Sequence, residues 1–254
     1  MIIKGYDDEG SFWQQRLKAV GHTGRLDRKA YVFDQMCRLR VFETWLESKV
    51  SVPGTAFDFG CGVGDFARLL NRRGWSVIGC DKFITPNYRA PSFRFINAIE
   101  NGSSVKNVNL ILSVTTLDHI LDNVAFMKTL KRLSNMLCPD GYFFFLECSP
   151  VANLKRSSYQ AFRSMSEWMS ALGDAGLSVT ETTPFFDPVN APVPAWSIYE
   201  NMLITRIGSR CEQKKYLHYG SRLLYNVAAK TCLRARPYEP PAASTINIIG
   251  GNKV

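Results

Sequence analysis

The stretch Thr55-Ala-Phe-Asp-Phe-Gly-Cys-Gly-Val-Gly-Asp65 constrains this chain more than any other, because it reads as a buried strand running into a glycine turn and then a helix. Residues 57–59 end the strand. Gly60, Gly62 and Gly64 then give three positions without a Cβ, where backbone and ligand approach closely. The helix starts near Asp65 and turns Phe66, Leu69 and Leu70 inward. Residues 75–81 follow as a second strand ending in an acid. That acid, Asp81, lies 19 residues beyond Gly62, close to the spacing at which a carboxylate after the second strand of a βαβ unit reaches a ribose.

The run Asp58-Phe-Gly-Cys-Gly-Val-Gly64, with Asp81 at the end of the next strand, resembles the class I S-adenosylmethionine-dependent methyltransferases. It is less similar to nicotinamide enzymes, whose third glycine falls one position later. The resemblance covers residues 55–180 and is specific for the cofactor rather than for the acceptor. It implies that Gly60, Cys61 and Gly62 lie under the methionine part of S-adenosylmethionine and that Asp81 binds both ribose hydroxyls. By the same resemblance Lys82, Ala98 and Ile99 flank the adenosine, Ile99 either packing on the ring or serving as plain core, and Ser113 joins the cofactor set. In this family the segment before the first strand folds over the cofactor. His22, between Gly21 and Gly24, is then a substrate-site residue or an ordinary loop histidine. Arg38 either pairs with the methionine carboxylate in a bidentate contact or stays solvated.

The remaining elements follow from periodicity. Residues 11–50 read as two helices broken near Gly21, with residues 1–50 as an N-terminal cap. Strands are expected at 92–98, 109–114, 141–147 and 177–182. Helices are expected at 122–138, with Val124, Phe126, Met127, Leu130, Leu133 and Leu137 inward, and around 162–172, with Phe162, Met165, Trp168, Met169 and Leu172 inward. The alternation predicts an α/β fold: a doubly wound, mostly parallel seven-stranded sheet, Rossmann-like, as one domain with its cofactor core at 51–183. Residues 184–243 form a helical insertion before a last strand at 244–249, in a closing segment 244–254.

The continuous apolar run 109–114 is what a strand covered on both faces requires, and ligands bind beyond the carboxyl ends of such strands. Asp118 and His119 fall there. His119 is the candidate general base, able to take a hydroxyl's proton, or else a wall of the cofactor pocket; Asp118 is a candidate substrate residue. In the insertion, Tyr216 and His218 are further substrate candidates, and Arg222, Asn226, Lys230 and Arg234 form a basic row at helical spacing. Such a helix docks its apolar side on the domain or touches an acidic lipid surface.

The net charge of +9 sits mainly at the C-terminal end, where residues 203–254 hold nine Lys or Arg against two acids. That favours an anionic acceptor, or a solvated face with no partner. The seven cysteines show no metal-binding spacing, which argues against structural zinc and fits a reducing, cytoplasmic setting. Two methyltransferase subclasses lack their signatures: no Asp/Asn-Pro-Pro-aromatic run follows 109–114, and no Pro-Cys nucleophile occurs. The expected activity is O-methylation of a sugar or glycan hydroxyl, since the segment from Gly21 through Gln35 resembles stand-alone methyltransferases of polysaccharide biosynthesis. The alternatives are an RNA methyltransferase holding phosphates with its basic end, and a non-catalytic partner-binding protein on the same fold.

Overall fold

The strand β1 (Thr55–Phe59) is buried on both faces, by Ala56 and Asp58 on one and by Phe57 on the other. In the computed structural model, which describes residues 9–22, 28–102, 104–149, 160–184 and 246–253, it lies between β2 (Ser76–Cys80) and β4 (Val108–Val114). Among the described residues the sheet has seven strands in the order β3-β2-β1-β4-β5-β7-β6, with β3 at Phe93–Ile96, β5 at Leu137–Cys148, β6 at Leu177–Pro184 and β7 at Ile246–Lys253. Strands β1 to β5 pair in parallel, and β7 runs antiparallel to both β5 and β6. The strand order reverses between β1 and β4, so a crevice opens beyond their carboxyl ends.

Strand alternation fills two cores. On one face Ala56, Leu110, Leu112, Phe144 and Leu146 meet Phe42, Trp45 and Leu46 of α2 (Arg28–Lys49) and Phe66, Ala67 and Leu70 of α3 (Asp65–Arg72). On the other, Phe57, Ile111, Phe143 and Phe145 meet Phe126, Leu130 and Leu133 of α4 (Asn123–Met136) and Trp168 and Leu172 of α5 (Met165–Asp174). Three consecutive phenylalanines in β5 are thus divided between the two cores, which is why a doubly covered strand reads as unbroken apolar sequence. The helix α1 (Glu9–Val20) precedes α2 and ends at Gly21, whose φ of +79° turns the chain.

Several sequence expectations are corrected in detail. Val124 and Met169 are exposed, because α4 and α5 turn Phe126, Leu130, Leu133 and Trp168, Leu172 to the sheet and leave these two on the far side. Helix α4 passes straight into β5: Leu137 pairs with Val108, so the run through Pro139 and Gly141 is strand with a shifted register rather than a helix stop. The last strand is described over Ile246–Lys253 and so runs four residues past the expected end at 249. Its Gly250 and Gly251 are strand residues because the space a Cβ would need is taken by Trp45 and Glu181 at the first, and by the Ser178 carbonyl and Phe143 ring at the second. Residues 185–245, and with them nearly all of the inserted region, lie outside the described residues. Among the described residues no helix is long and apolar enough to cross a membrane.

Candidate active site

The glycine turn is built by left-handed backbone: φ is +76° at Gly60, +50° at Gly62 and +88° at Gly64. It hangs on the end of β2, since the N–H groups of Gly60 and Cys61 both donate to the Cys80 carbonyl at 2.7 and 3.0 Å. Gly64 caps α3 without a side chain. The missing acceptor comes from β1, where the Asp58 carboxylate takes the Ala67 N–H.

Asp81 is held rigidly beside this turn. Its Oδ2 accepts from the Gly62 N–H at 3.0 Å, and its Oδ1 from the N–H groups of Phe83 at 3.0 Å and Ile84 at 2.9 Å. Burial raises its pKa, while the same three N–H groups pull the other way. Across the crevice, Arg38 is buried and donates from Nη1 to Thr115 Oγ1 at 3.2 Å, and Gln35 donates from Nε2 to Asp65 Oδ2 at 3.2 Å. One helix, α2, therefore reaches both the glycine turn's helix and the turn after β4. That second turn is itself bent, with Thr115 at φ +48° and its N–H bonded to the Leu146 carbonyl at 2.8 Å.

Beyond Thr115 the chain makes a single 3₁₀ turn, Leu117–His119. His119 meets the Trp13 ring of α1 edge-on, centroids 5.0 Å apart, and its Nε2 stands 3.7 Å from Asp118 Oδ1. Asp118 is fully buried, with Oδ2 accepting from Gln160 Nε2 at 2.9 Å. Below the turn lies Glu147, also fully buried. Its oxygens accept from Ser113 Oγ at 2.6 Å and from the N–H groups of Thr116 at 3.1 Å, Leu117 at 3.2 Å and Asp118 at 3.4 Å.

Of the residues singled out in the sequence, Arg38, Gly60, Cys61, Gly62, Asp81, Asp118 and His119 gather at the carboxyl ends of β1, β2 and β4. Ser113 lies beneath them, its hydroxyl bonded to Glu147. Lys82 is exposed, with Nζ 5.0 Å from the Phe83 ring centroid; Ala98 accepts the Asn101 N–H; Ile99 is core, packed in the α4 face cluster. His22 is buried just past α1. Tyr216 and His218 lie outside the described residues. The sequence reading missed Glu147 and Trp13. The signal for Glu147 is a carboxylate at the end of the apolar run 142–146, which demands several donors.

Burial pushes the Cys61 thiol far up and Cys80 up to about 12, so neither is a nucleophile at neutral pH. Burial likewise raises Glu147, the Asp118 charge adding to it, against the Ser113, Thr116 and Leu117 donors. Asp58 is pushed up to about 8 by burial first, then by the Asp81 and Asp65 charges, with the Ala67 N–H opposing. A carboxyl whose folded value is raised stabilises the fold fully below its unfolded value, near 4, and loses that contribution as pH climbs through 8. Thermal melts at pH 5.5 and 8.5 are therefore expected to show lower stability at the higher pH, by on the order of 3 kcal/mol from this group. Asp58→Asn, which keeps an acceptor for the Ala67 N–H, should flatten that slope; an unchanged slope would refute the assignment.

A profile of the family described as a methyltransferase domain matches residues 29–182. A search of curated proteins gives no match. Among solved structures, the 1,6-didemethyltoxoflavin-N1-methyltransferase of Burkholderia thailandensis superimposes with a TM-score of 0.59 at 14% identity, covering 95% of this chain and 87% of that one. The cyclopropane synthase MmaA2 of Mycobacterium tuberculosis gives 0.54 at 14% identity, covering 85% and 84%. Phosphoethanolamine N-methyltransferase 2 of Haemonchus contortus gives 0.55 at 15% identity, covering 84% of this chain and 52% of that one. At such identities these likenesses speak for the fold alone. The profile match spans more than half of the chain and includes β1, the glycine turn, Asp81 and the turn after β4, so the chain belongs to the methyltransferase-domain family, on the class I fold of the S-adenosylmethionine-dependent enzymes.

Proposed function

We propose that this protein transfers a methyl group from S-adenosylmethionine to an oxygen of a small acceptor, a sugar or glycan hydroxyl, with His119 as the general base. The observation that carries the reading is the pairing of two groups across one crevice. Asp81 is fixed by three backbone N–H groups beside the glycine turn, and His119 stands at the end of β4 with a buried carboxylate behind it.

The residues fit the cofactor. The left-handed turn at Gly60 and Gly62 offers close backbone approach for the methionine part, and the buried Arg38 guanidinium suits its carboxylate. Asp81 suits the ribose hydroxyls, with Lys82 and Ala98 on the adenosine side. The Burkholderia and Haemonchus structures named above hold S-adenosylhomocysteine on this fold, which supports the same choice. Bound S-adenosylmethionine supplies a methyl group on a sulfonium, so the chain's own task is to align the acceptor oxygen and remove its proton. His119 serves that task as the imidazole takes up the hydroxyl proton while the oxygen gains the methyl. The domain is read as one unit, with 1–50 as cap, 51–183 as cofactor core, 184–243 facing the acceptor and 244–254 as last strand. The basic residues of 203–254 suit an anionic acceptor.

The test is calorimetric titration of S-adenosylhomocysteine, followed by transfer of labelled methyl from S-adenosylmethionine to a panel of sugars, sugar nucleotides, amines and RNA. Micromolar binding and label on a sugar oxygen are expected. Label on RNA, with binding that falls steeply with salt, would replace the acceptor class. Absence of S-adenosylhomocysteine binding would overturn the enzyme reading and leave a partner-binding role.

A further inference from the structure

Asp118, on the turn after β4, and Glu147, on β5 beneath it, are two fully buried carboxyl groups, and cofactor binding as argued above uses neither. Their partners are unequal. Glu147 takes the Ser113 hydroxyl and the backbone N–H groups of three consecutive residues, Thr116, Leu117 and Asp118, so it fixes the whole 3₁₀ turn that carries His119. Asp118 is clamped on one side only: Gln160 Nε2 bonds Oδ2, and the Ala161 N–H bonds its main-chain carbonyl at 2.7 Å. Its Oδ1 is buried and accepts no hydrogen bond among the described residues. A buried carboxylate oxygen left in that state is destabilising until it gains a donor. The group facing it is His119 Nε2, 3.7 Å away, beyond a hydrogen bond but within ion-pair reach.

We propose that Glu147 and Asp118 are positioning residues for His119, Glu147 by shaping the turn and Asp118 by holding the ring with its N–H at Nε2. This rests on the reading of His119 as the base. A carboxylate behind an imidazole decides which ring nitrogen carries the proton, and so which one receives the acceptor's proton. When His119 takes that proton the acceptor oxygen keeps the electron pair that bonds the methyl. The resulting imidazolium then has its counter-charge in Asp118 Oδ1, which gains the partner it lacked. The Trp13 ring stands at 81° to the imidazole with centroids 5.0 Å apart, which fixes the plane of the ring. Among the described residues the nearby guanidinium groups make other bonds: Arg38 donates to Thr115 Oγ1, and Arg163 donates to the Ile120 carbonyl at 2.8 Å.

The tautomer is read directly from the imidazole nitrogen shifts of ¹⁵N-histidine-labelled protein saturated with S-adenosylhomocysteine, at a pH where the rings are neutral. The chain has three histidines, and His119→Gln identifies the signal. The expected result is a single tautomer protonated at Nε2 in the wild type, giving way to exchange between both tautomers in Asp118→Ala and in Glu147→Gln. A purely structural Glu147 would leave the tautomer unmoved in any variant that folds. Should Glu147→Gln fail to fold, Ser113→Ala, which removes one donor from the same carboxylate, must still show partial exchange. Protonation at Nδ1 in the wild type, or an unaltered tautomer in the folded variants, overturns the proposal. Titration with S-adenosylhomocysteine separates the two readings: if it binds and the tautomer test fails, the positioning role falls and the methyltransferase reading stands. If it does not bind, the methyltransferase reading falls whatever the tautomer.

Discussion

Asp81→Ala is expected to weaken S-adenosylhomocysteine binding about 100-fold, which corresponds to roughly 2.7 kcal/mol, the range of one or two hydrogen bonds to a charged group. The expectation follows from how the carboxylate is held. Three N–H groups, from Gly62, Phe83 and Ile84, fix both oxygens before any ligand arrives, so binding costs little further ordering. Their loss also leaves three backbone donors to find water, and the melting temperature should drop by a few degrees as well. Asp81→Asn separates the two effects: it keeps one carbonyl acceptor for Phe83 and Ile84 but replaces Oδ2 by an amide donor facing the Gly62 N–H. Its stability should fall less than that of Asp81→Ala, since only the Gly62 N–H loses its acceptor, while affinity falls at least tenfold. Calorimetry decides the matter. Binding within about threefold of wild type in Asp81→Ala would mean that the ribose is held elsewhere, and the assignment of this acid would be wrong.

How much of this was legible in the sequence depended on whether a residue's role is local. β1, the glycine turn and the start of α3 at Asp65 were readable because backbone chemistry alone specifies them: three glycines at positive φ allow few other structures. Asp81 was readable by spacing from that turn. The roles of Ser113, Asp118 and Glu147 were not, because they are set by pairing across β4 and β5, residues 29–34 apart in the chain. The family resemblance places Ser113 in the cofactor set, and its hydroxyl bond to Glu147 is visible only in the structure. The exposed positions of Val124 and Met169 show a similar limit. An apolar residue one step off the helix's buried face is indistinguishable by type from one on it. The last strand is expected at 244–249, and the Trp45 ring and Ser178 carbonyl packed against Gly250 and Gly251 show that it continues through both. The antiparallel pairing of β7 between β5 and β6 left no mark in the residues themselves, since inward and outward alternation is the same for either direction.

Gly60→Ala is expected to be the most damaging single-methyl change at the site, destabilising the protein by about 3 kcal/mol or more and abolishing S-adenosylhomocysteine binding. Two costs add. At φ +76° an alanine sits in a region that L side chains avoid, for about 1–2 kcal/mol. The new Cβ would also stand 2.0 Å from Thr116 Oγ1, 2.3 Å from its Cγ2 and 2.5 Å from its Cβ, so no rotamer of Thr116 makes room. Nor can Thr116 withdraw easily, because its N–H is bonded to both Glu147 oxygens at 3.1 Å. The strain must therefore move the glycine turn, the turn after β4, or both, and these carry the two halves of the proposed site. A melting temperature lower by roughly 6–12 °C is the expected readout for a chain of this size. Gly173→Ala is the matching control: it lies in α5 with nothing within 4 Å of the added Cβ, and should raise stability by about 0.5–1 kcal/mol. The double variant Gly60→Ala/Thr116→Gly removes the collision but not the backbone cost. It should recover part of the lost melting temperature beyond the sum of the single changes, because the two sites touch. Additive effects in that cycle, or wild-type affinity in Gly60→Ala, would show that the two turns are not packed as described and that neither disciplines the other.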